Sequence, residues 1–132
     1  MGKGDRGERE LANRLEDEFG YRALRAPSSG GGTKRERPDV LAGKDGRVLV
    51  FEAKTSGGKP VYVPKEEVEA LIDYAAGFGA EAYIAVRWSS NTIRDTTVYV
   101  ANPHDMHDAG GSYRAKYEDC QEDNWTTLTD IA

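Results

Sequence analysis

Two apolar runs, residues 40–42 and 48–51, flank the dipeptide Asp45-Gly46. Asp-Gly between such runs is among the strongest short-range hairpin signals, because both central residues of the tight turn need a positive φ. With Asp45 and Gly46 at the turn, the register follows. Lys44 faces Arg47, Ala42 faces Leu49, Val40 faces Phe51, and Asp39 faces Glu52. Side chains directly opposed across such a pair have Cβ atoms about 4.5–5.5 Å apart. Lys54, two residues beyond Glu52, projects from the same face. The chain therefore gathers two acids and one ammonium where a packed sheet would carry Val or Ile.

Two carboxylates that close repel, and more strongly as they leave water. A shared proton, a basic partner or a bound cation relieves the clash. A hard divalent ion such as Mg2+ takes oxygen ligands, commonly one or two carboxylates with water and phosphate oxygens. Glu8 lies one turn before Leu11 and Ala12, on the inward side of a predicted helix, and is placed to supply a third acid. Lys54 suits the same chemistry, holding an attacking water or balancing charge that gathers on phosphorus.

Around the hairpin the chain reads as α/β. Leu11, Ala12, Leu15 and Phe19 recur at helical spacing over residues 5–19, with Gly20 to end the helix. Residues 21–26 read as a first strand, and 27–37, "PSSGGGTKRER", as a glycine-rich loop ending in a basic cluster. The hairpin strands follow at about 39–43 and 47–54. Residues 64–79 read as a second helix, with Pro64 near its start, acids in its first turn and Gly79 at its end. Residues 82–88 and 96–100 are two further strands. The expectation is a central mixed five-stranded sheet flanked by helices, in one domain over residues 1–102. Residues 103–132, polar with short apolar islands, are expected to be a partly ordered extension.

The chain has 132 residues and a net charge of −5, which argues against nucleic acid until its distribution is read. Residues 1–65 carry 14 Lys and Arg against 10 acids; residues 66–132 carry 4 against 13. A basic half still binds phosphate locally, since salt screens surface fields beyond roughly 10 Å at 0.1 M. Lys34, Arg35 and Arg37 read as a phosphate-contacting arm. "GGGTK" lacks the Gly-Lys-Ser/Thr order of a phosphate-binding loop, and no nucleotide cofactor is expected. "HDMHD" at 104–108 reads as a polar loop, and Tyr83, Trp88 and Tyr99 as packing aromatics. The single Cys120 excludes an internal disulfide. The charged opening "MGKGDRGERE" and the lack of any run near 18 apolar residues predict an intracellular chain with no membrane span. On the second helix, Val68, Leu71, Ile72 and Ala75 make one apolar face, and Leu71, Tyr74 and Phe78 a neighbouring seam that either lies under the C-terminal segment or meets a second copy of the chain.

"PD" at 38–39, twelve residues, then "EAK" at 52–54 resembles the signature of the PD-(D/E)xK nuclease superfamily. Residues 3–31 ("KGDRGERELANRLEDEFGYRALRAPSSGG") and 62–88 resemble archaeal Holliday junction resolvases more specifically, and the resemblance covers roughly residues 2–100. It implies a restriction-endonuclease-like core and a homodimer that cuts four-way DNA junctions symmetrically, with Mg2+, or Mn2+ in its place. It assigns metal binding to Glu8, Asp39 and Glu52, assistance to the nucleophile to Lys54, and DNA phosphate contacts to Arg9 and Arg25. A loop serine also matters in that family; Ser29 matches best, with Ser28 a close rival. The alternatives are a relative that cuts linear or single-stranded DNA, and a DNA-binding relative that does not cut.

Overall fold

The computed structural model describes residues 3–26, 37–122 and 124–132. The order is α1 (Lys3–Asp17), β1 (Arg22–Arg25), β2 (Val40–Lys44), β3 (Arg47–Ser56), β4 (Val61–Pro64), α2 (Lys65–Phe78), β5 (Glu81–Ser89) and β6 (Arg94–Ala101). After a 3₁₀ turn come β7 (His107–Asp108), β8 (Ser112–Ala115), a second 3₁₀ turn, β9 (Thr126–Thr127) and the short α3 (Leu128–Ile131). Among the described residues, no helix is long and apolar enough to cross a membrane.

The hairpin has the expected register from Lys44↔Arg47 to Val40↔Phe51. Its turn has φ of 51° at Asp45 and 84° at Gly46, the positive pair that a tight hairpin requires. β3 runs parallel to β5, the pairing that a crossover through α2 permits. The five expected strands are present, but the main sheet has six, in the order β1-β2-β3-β5-β6-β9. The sixth is β9, which pairs Thr126 with Val100 and Thr127 with Tyr99. A second, three-stranded sheet, β4-β8-β7, was not expected. Residues 103–132 thus supply strands to both sheets, and Trp125 and Leu128 are buried. Two-residue strands carry too little pattern to be read, and their partners lie tens of residues away.

Alternation along β3 divides the core. Leu49 and Phe51 face α1, packing with Leu11, Leu15, Tyr21 and Ala42. Val50 faces the other way, joining Ile84, Val86 and Trp88 of β5 and Val68, Leu71 and Ala75 of α2. Leu71 therefore belongs to the core and not to a partner seam. It lies three residues after Val68 and four before Ala75, on the same helical face. Tyr74 and Phe78 remain outside, stacked with ring centroids 6.5 Å apart, and Phe78 is 54% exposed.

The "HDMHD" stretch forms the first 3₁₀ turn and β7, where Asp108 pairs with Lys65 at 2.9 Å. Cys120 is buried, which pushes its thiol up to about 12. Beside it, Asp95 of β6 accepts hydrogen bonds from Tyr99 Oη (2.6 Å), Tyr117 Oη (3.0 Å) and the Thr97 amide (3.0 Å). Gln121 donates in turn to Tyr99 Oη at 3.2 Å. Partial burial works to raise the Asp95 carboxyl, but these hydrogen bonds prevail and hold it at about 2.

This clasp ties the C-terminal segment to β6. Asp95→Asn, which weakens two phenol-to-carboxylate bonds, is expected to cost about 1–3 kcal/mol and to lower Tm. Because the folded-state value lies below the ordinary one, the contribution is full above about pH 4 and fades as pH falls toward 2. Thermal melts at pH 7 and pH 2.5 check this: the deficit of the variant is expected to shrink at the lower pH.

Candidate active site

The site forms where β2 begins. The Asp39 amide donates to the Phe51 carbonyl at 2.8 Å, although Phe51 is already the register partner of Val40. Two residues of one strand thus address one residue of the other, the arrangement of a β-bulge, which bends a strand and re-aims a side chain. The ladder does not set Asp39 opposite Glu52, as uninterrupted pairing would. Instead Asp39 Oδ2 accepts the Ala53 amide at 2.8 Å, and the Asp39 carbonyl accepts the Ala26 amide at 2.9 Å. The side chain replaces a backbone rung, which fixes its carboxylate beside β3.

Glu52 shares the α2-facing side of β3 with Val50 and is the one charged residue buried among the described residues. Lys54 follows on the same side, its Nζ 3.5 Å from Glu52 Oε2. The same Nζ stands 3.7 Å from Oε2 of Glu67, in the first turn of α2. Acids there match the helix dipole in any helix, so the sequence alone gave Glu67 no distinction. The crossover from β3 through β4 into α2 brings it to Lys54.

The electrostatics follow from burial. Loss of solvent and the nearby Asp39 push the Glu52 carboxyl up to about 8, against the pull of Lys54. Burial also raises Asp39, opposed by the Ala53 amide and Lys54 and reinforced by Glu67. One ammonium does not neutralise this acid cluster.

Glu8 belongs to α1, which packs on the opposite side of β3, against Phe51. Its Oε1 is 3.6 Å from Arg25 Nη2. Among the described residues, no three acidic, His or Cys side chains are gathered as a ready cage for a metal ion. The structure therefore brings together Asp39, Glu52, Lys54 and Glu67, while Glu8 is paired with Arg25. α1 approaches β3 closely at Gly7, where an added Cβ would lie 2.4 Å from Thr55 Oγ1. Arg9 and Arg37 are exposed. Ser28, Ser29, Lys34 and Arg35 lie outside the described residues.

A bulged hairpin at one side of a mixed sheet, carrying two acids and a lysine, defines the restriction-endonuclease-like class of α/β fold. Within that class the chain belongs to the archaeal Holliday junction resolvase (Hjc) family, which it matches over residues 1–130. The match extends some thirty residues beyond the resemblance read from sequence, into the segment that forms β7, β8 and β9.

The crossover junction endodeoxyribonuclease Hjc of Methanocaldococcus jannaschii is 37% identical over 91 residues, 69% of this chain and 63% of the relative. That of Archaeoglobus fulgidus is 40% identical over 85 residues, 64% of this chain and 61% of the relative. The matched segment thus spans about three fifths of these relatives' length. The solved structure of Archaeoglobus fulgidus Hjc, described as a Holliday junction resolvase from an archaeal hyperthermophile, superposes with a TM-score of 0.82 at 25% identity. That superposition covers 97% of this chain and 98% of the other.

The raised Glu52 carboxyl sets a stability trend. Its folded-state value near 8 lies above the ordinary 4.5, so folding favours the protonated form. That stabilisation is full below about pH 4.5 and is lost as pH rises through 8. In metal-free buffer, Glu52→Gln is expected to raise stability at pH 8 by on the order of a few kcal/mol. The gain should vanish near pH 4.5. Denaturant titrations at the two pH values measure it, and a gain independent of pH would contradict this assignment.

Proposed function

We propose that the chain is a structure-selective, metal-dependent endodeoxyribonuclease that resolves four-way DNA junctions by paired phosphodiester hydrolysis. The observation that carries this reading is the half-buried Asp39 beside buried Glu52 and Lys54, where β2 begins. Family membership and the relatives, named crossover junction endodeoxyribonucleases, support it.

The donor set fits a hard divalent ion. Two carboxylates, both pushed toward protonation by burial and Glu52 also by the nearby Asp39, favour a partner of high charge that takes oxygen ligands. Asp39 and Glu52 would hold Mg2+, with Mn2+ able to substitute, and solvent or phosphate oxygens would complete the shell. Glu8 would join only after release from Arg25. When bound, such an ion supplies Lewis acidity and favours hydroxide over water.

The protein's own groups do the rest. The Ala53 amide orients the Asp39 carboxylate. Lys54 presents a positive charge to the reacting phosphate, where it steadies the attacking water and the negative charge that builds on the phosphoryl oxygens. Water adds to phosphorus as the bond to one deoxyribose oxygen breaks; the attacking water loses a proton and the leaving oxygen gains one. Arg9, Arg25 and Arg37, with Lys34 and Arg35 of the adjoining segment, would grip backbone phosphates, and Ser29 would act from the same segment.

Cutting two strands at matched positions calls for two copies of the site related by a two-fold axis. The stacked pair of half-buried Tyr74 and exposed Phe78 on α2 is the apolar surface proposed for that contact. Tyr74→Asp with Phe78→Asp is expected to give a folded monomer in analytical ultracentrifugation. An unchanged dimer would move the contact elsewhere.

The test is a cleavage assay with Mg2+ on a synthetic four-way junction beside a duplex of the same sequence. Paired nicks in the junction alone are expected. Equal cutting of both would indicate a nuclease without junction selectivity, and tight binding without cutting would indicate a relative that has lost the reaction. Asp39→Asn is expected to lower cleavage by at least about 100-fold while junction affinity in EDTA stays near wild type. A parallel loss of binding by a folded Asp39→Asn protein would show that the acid serves DNA contact instead.

A further inference from the structure

Lys54 is the cation of the site, and a lysine side chain at a strand end aims poorly unless something holds it. Ordering it costs rotamer entropy. We infer that Glu67 is a positioning residue for cleavage, holding the Lys54 ammonium in place from the first turn of α2. This inference rests on the nuclease reading above, and it adds a residue to which that reading gives no part.

Two carboxylates flank the ammonium, Glu52 at 3.5 Å and Glu67 at 3.7 Å. Their roles differ. On the proposed reading, Glu52 also serves a divalent ion, and an ion bound there competes with Lys54 for the same oxygens and repels its charge. An ammonium held by Glu52 alone would swing away as the site loads. Glu67 comes from a different element and keeps a grip that does not pass through the acid pair.

Stability does not explain its place. Glu67 adds negative charge beside Asp39 and Glu52, which works against the folded protein near neutral pH. Glu66, one residue earlier in the same turn, is exposed and meets the helix dipole without that cost.

The backbone around Glu67 is anchored from outside α2. The Lys65 amide donates to the Gly111 carbonyl at 3.2 Å, and Lys65 Nζ pairs with Asp108 at 2.9 Å. Val63 and Pro64 pair with Tyr113 and Ser112 of β8. Two contacts at Lys65, two residues before Glu67, and the strand pairing just ahead of them hold the first turn in place, as a group that must aim another side chain requires.

Three variants test the inference. Glu67→Gln is expected to lower the single-turnover cleavage rate about 10- to 100-fold, with junction Kd close to wild type and Tm at or above the wild-type value. Glu67→Asp, which keeps the charge on a shorter arm, should recover part of that loss. Glu66→Gln, which removes the same charge from the same turn, should cut at the wild-type rate. A second readout needs neither metal nor DNA. Carbon- and nitrogen-detected NMR of the Lys54 Cε and Nζ in metal-free protein should show a shifted, more mobile ammonium in Glu67→Gln and an unchanged one in Glu66→Gln.

An unchanged Lys54 signal and wild-type cutting in Glu67→Gln would overturn the inference, as would an equal loss in Glu66→Gln. The two readings also fail separately. A wild-type protein that cuts no DNA defeats the proposed function, while the NMR comparison still decides whether Glu67 holds Lys54.

Discussion

The site depends on one substitution in a hydrogen-bond ladder. At the start of β2 the Asp39 carboxylate, not a backbone carbonyl, accepts the Ala53 amide. That exchange ends the strand pair without leaving the Ala53 amide unsatisfied, and it fixes an acid beside Glu52 at no cost in side-chain freedom beyond the bond itself. The bulge at Phe51 makes it possible, because a strand in regular register would carry the Asp39 carboxylate along its pleat and not across to the neighbouring amide.

The consequence is electrostatic. Two carboxylates lose solvent together, with a third acid and one ammonium in reach. Such a cluster destabilises the metal-free chain near neutral pH, and the strain is local to the residues proposed to do chemistry. Structural ion pairs in the same fold show the contrast. Arg47 meets Glu81 with two nitrogens, at 2.6 and 2.9 Å, and holds that carboxyl below its ordinary range, the direction expected of a pair that supports the fold. Glu52 is shifted the opposite way.

The legible part of this molecule is the part with a short-range physical signature. Asp45-Gly46 fixes the hairpin register because two consecutive positive φ angles admit few other residues, and the register brings Glu52 and Lys54 past the start of β2, next to Asp39. Helical periodicity located α1 and α2. Those signals fail where pairing is long-range. β7 and β9 are two residues each, and their pairing is meaningful only against β8 and β6. Helical spacing admits Leu71 to either of two adjoining stripes, and only packing assigns it to the core. Glu8 is half-buried on α1 with Arg25 3.6 Å away, a pairing that helical spacing does not reveal. The bulge had no signature at all: Pro38-Asp39 reads equally as the start of a regular strand.

These unread elements are not peripheral to the site. β4 is fastened on one edge by β8, and the first residue of α2 by Gly111 and Asp108, so the direction in which α2 leaves the second sheet is set by residues of the C-terminal third. That segment is itself held to β6 by the Asp95 clasp and by β9. A physical path thus runs from the clasp through β8 and β4 to the first turn of α2, and from Glu67 to the ammonium of Lys54. Residues 66–132 hold 13 of the chain's 23 acids, and that half also supplies the helix that brings Glu67 to Lys54 from outside the hairpin of Asp39 and Glu52.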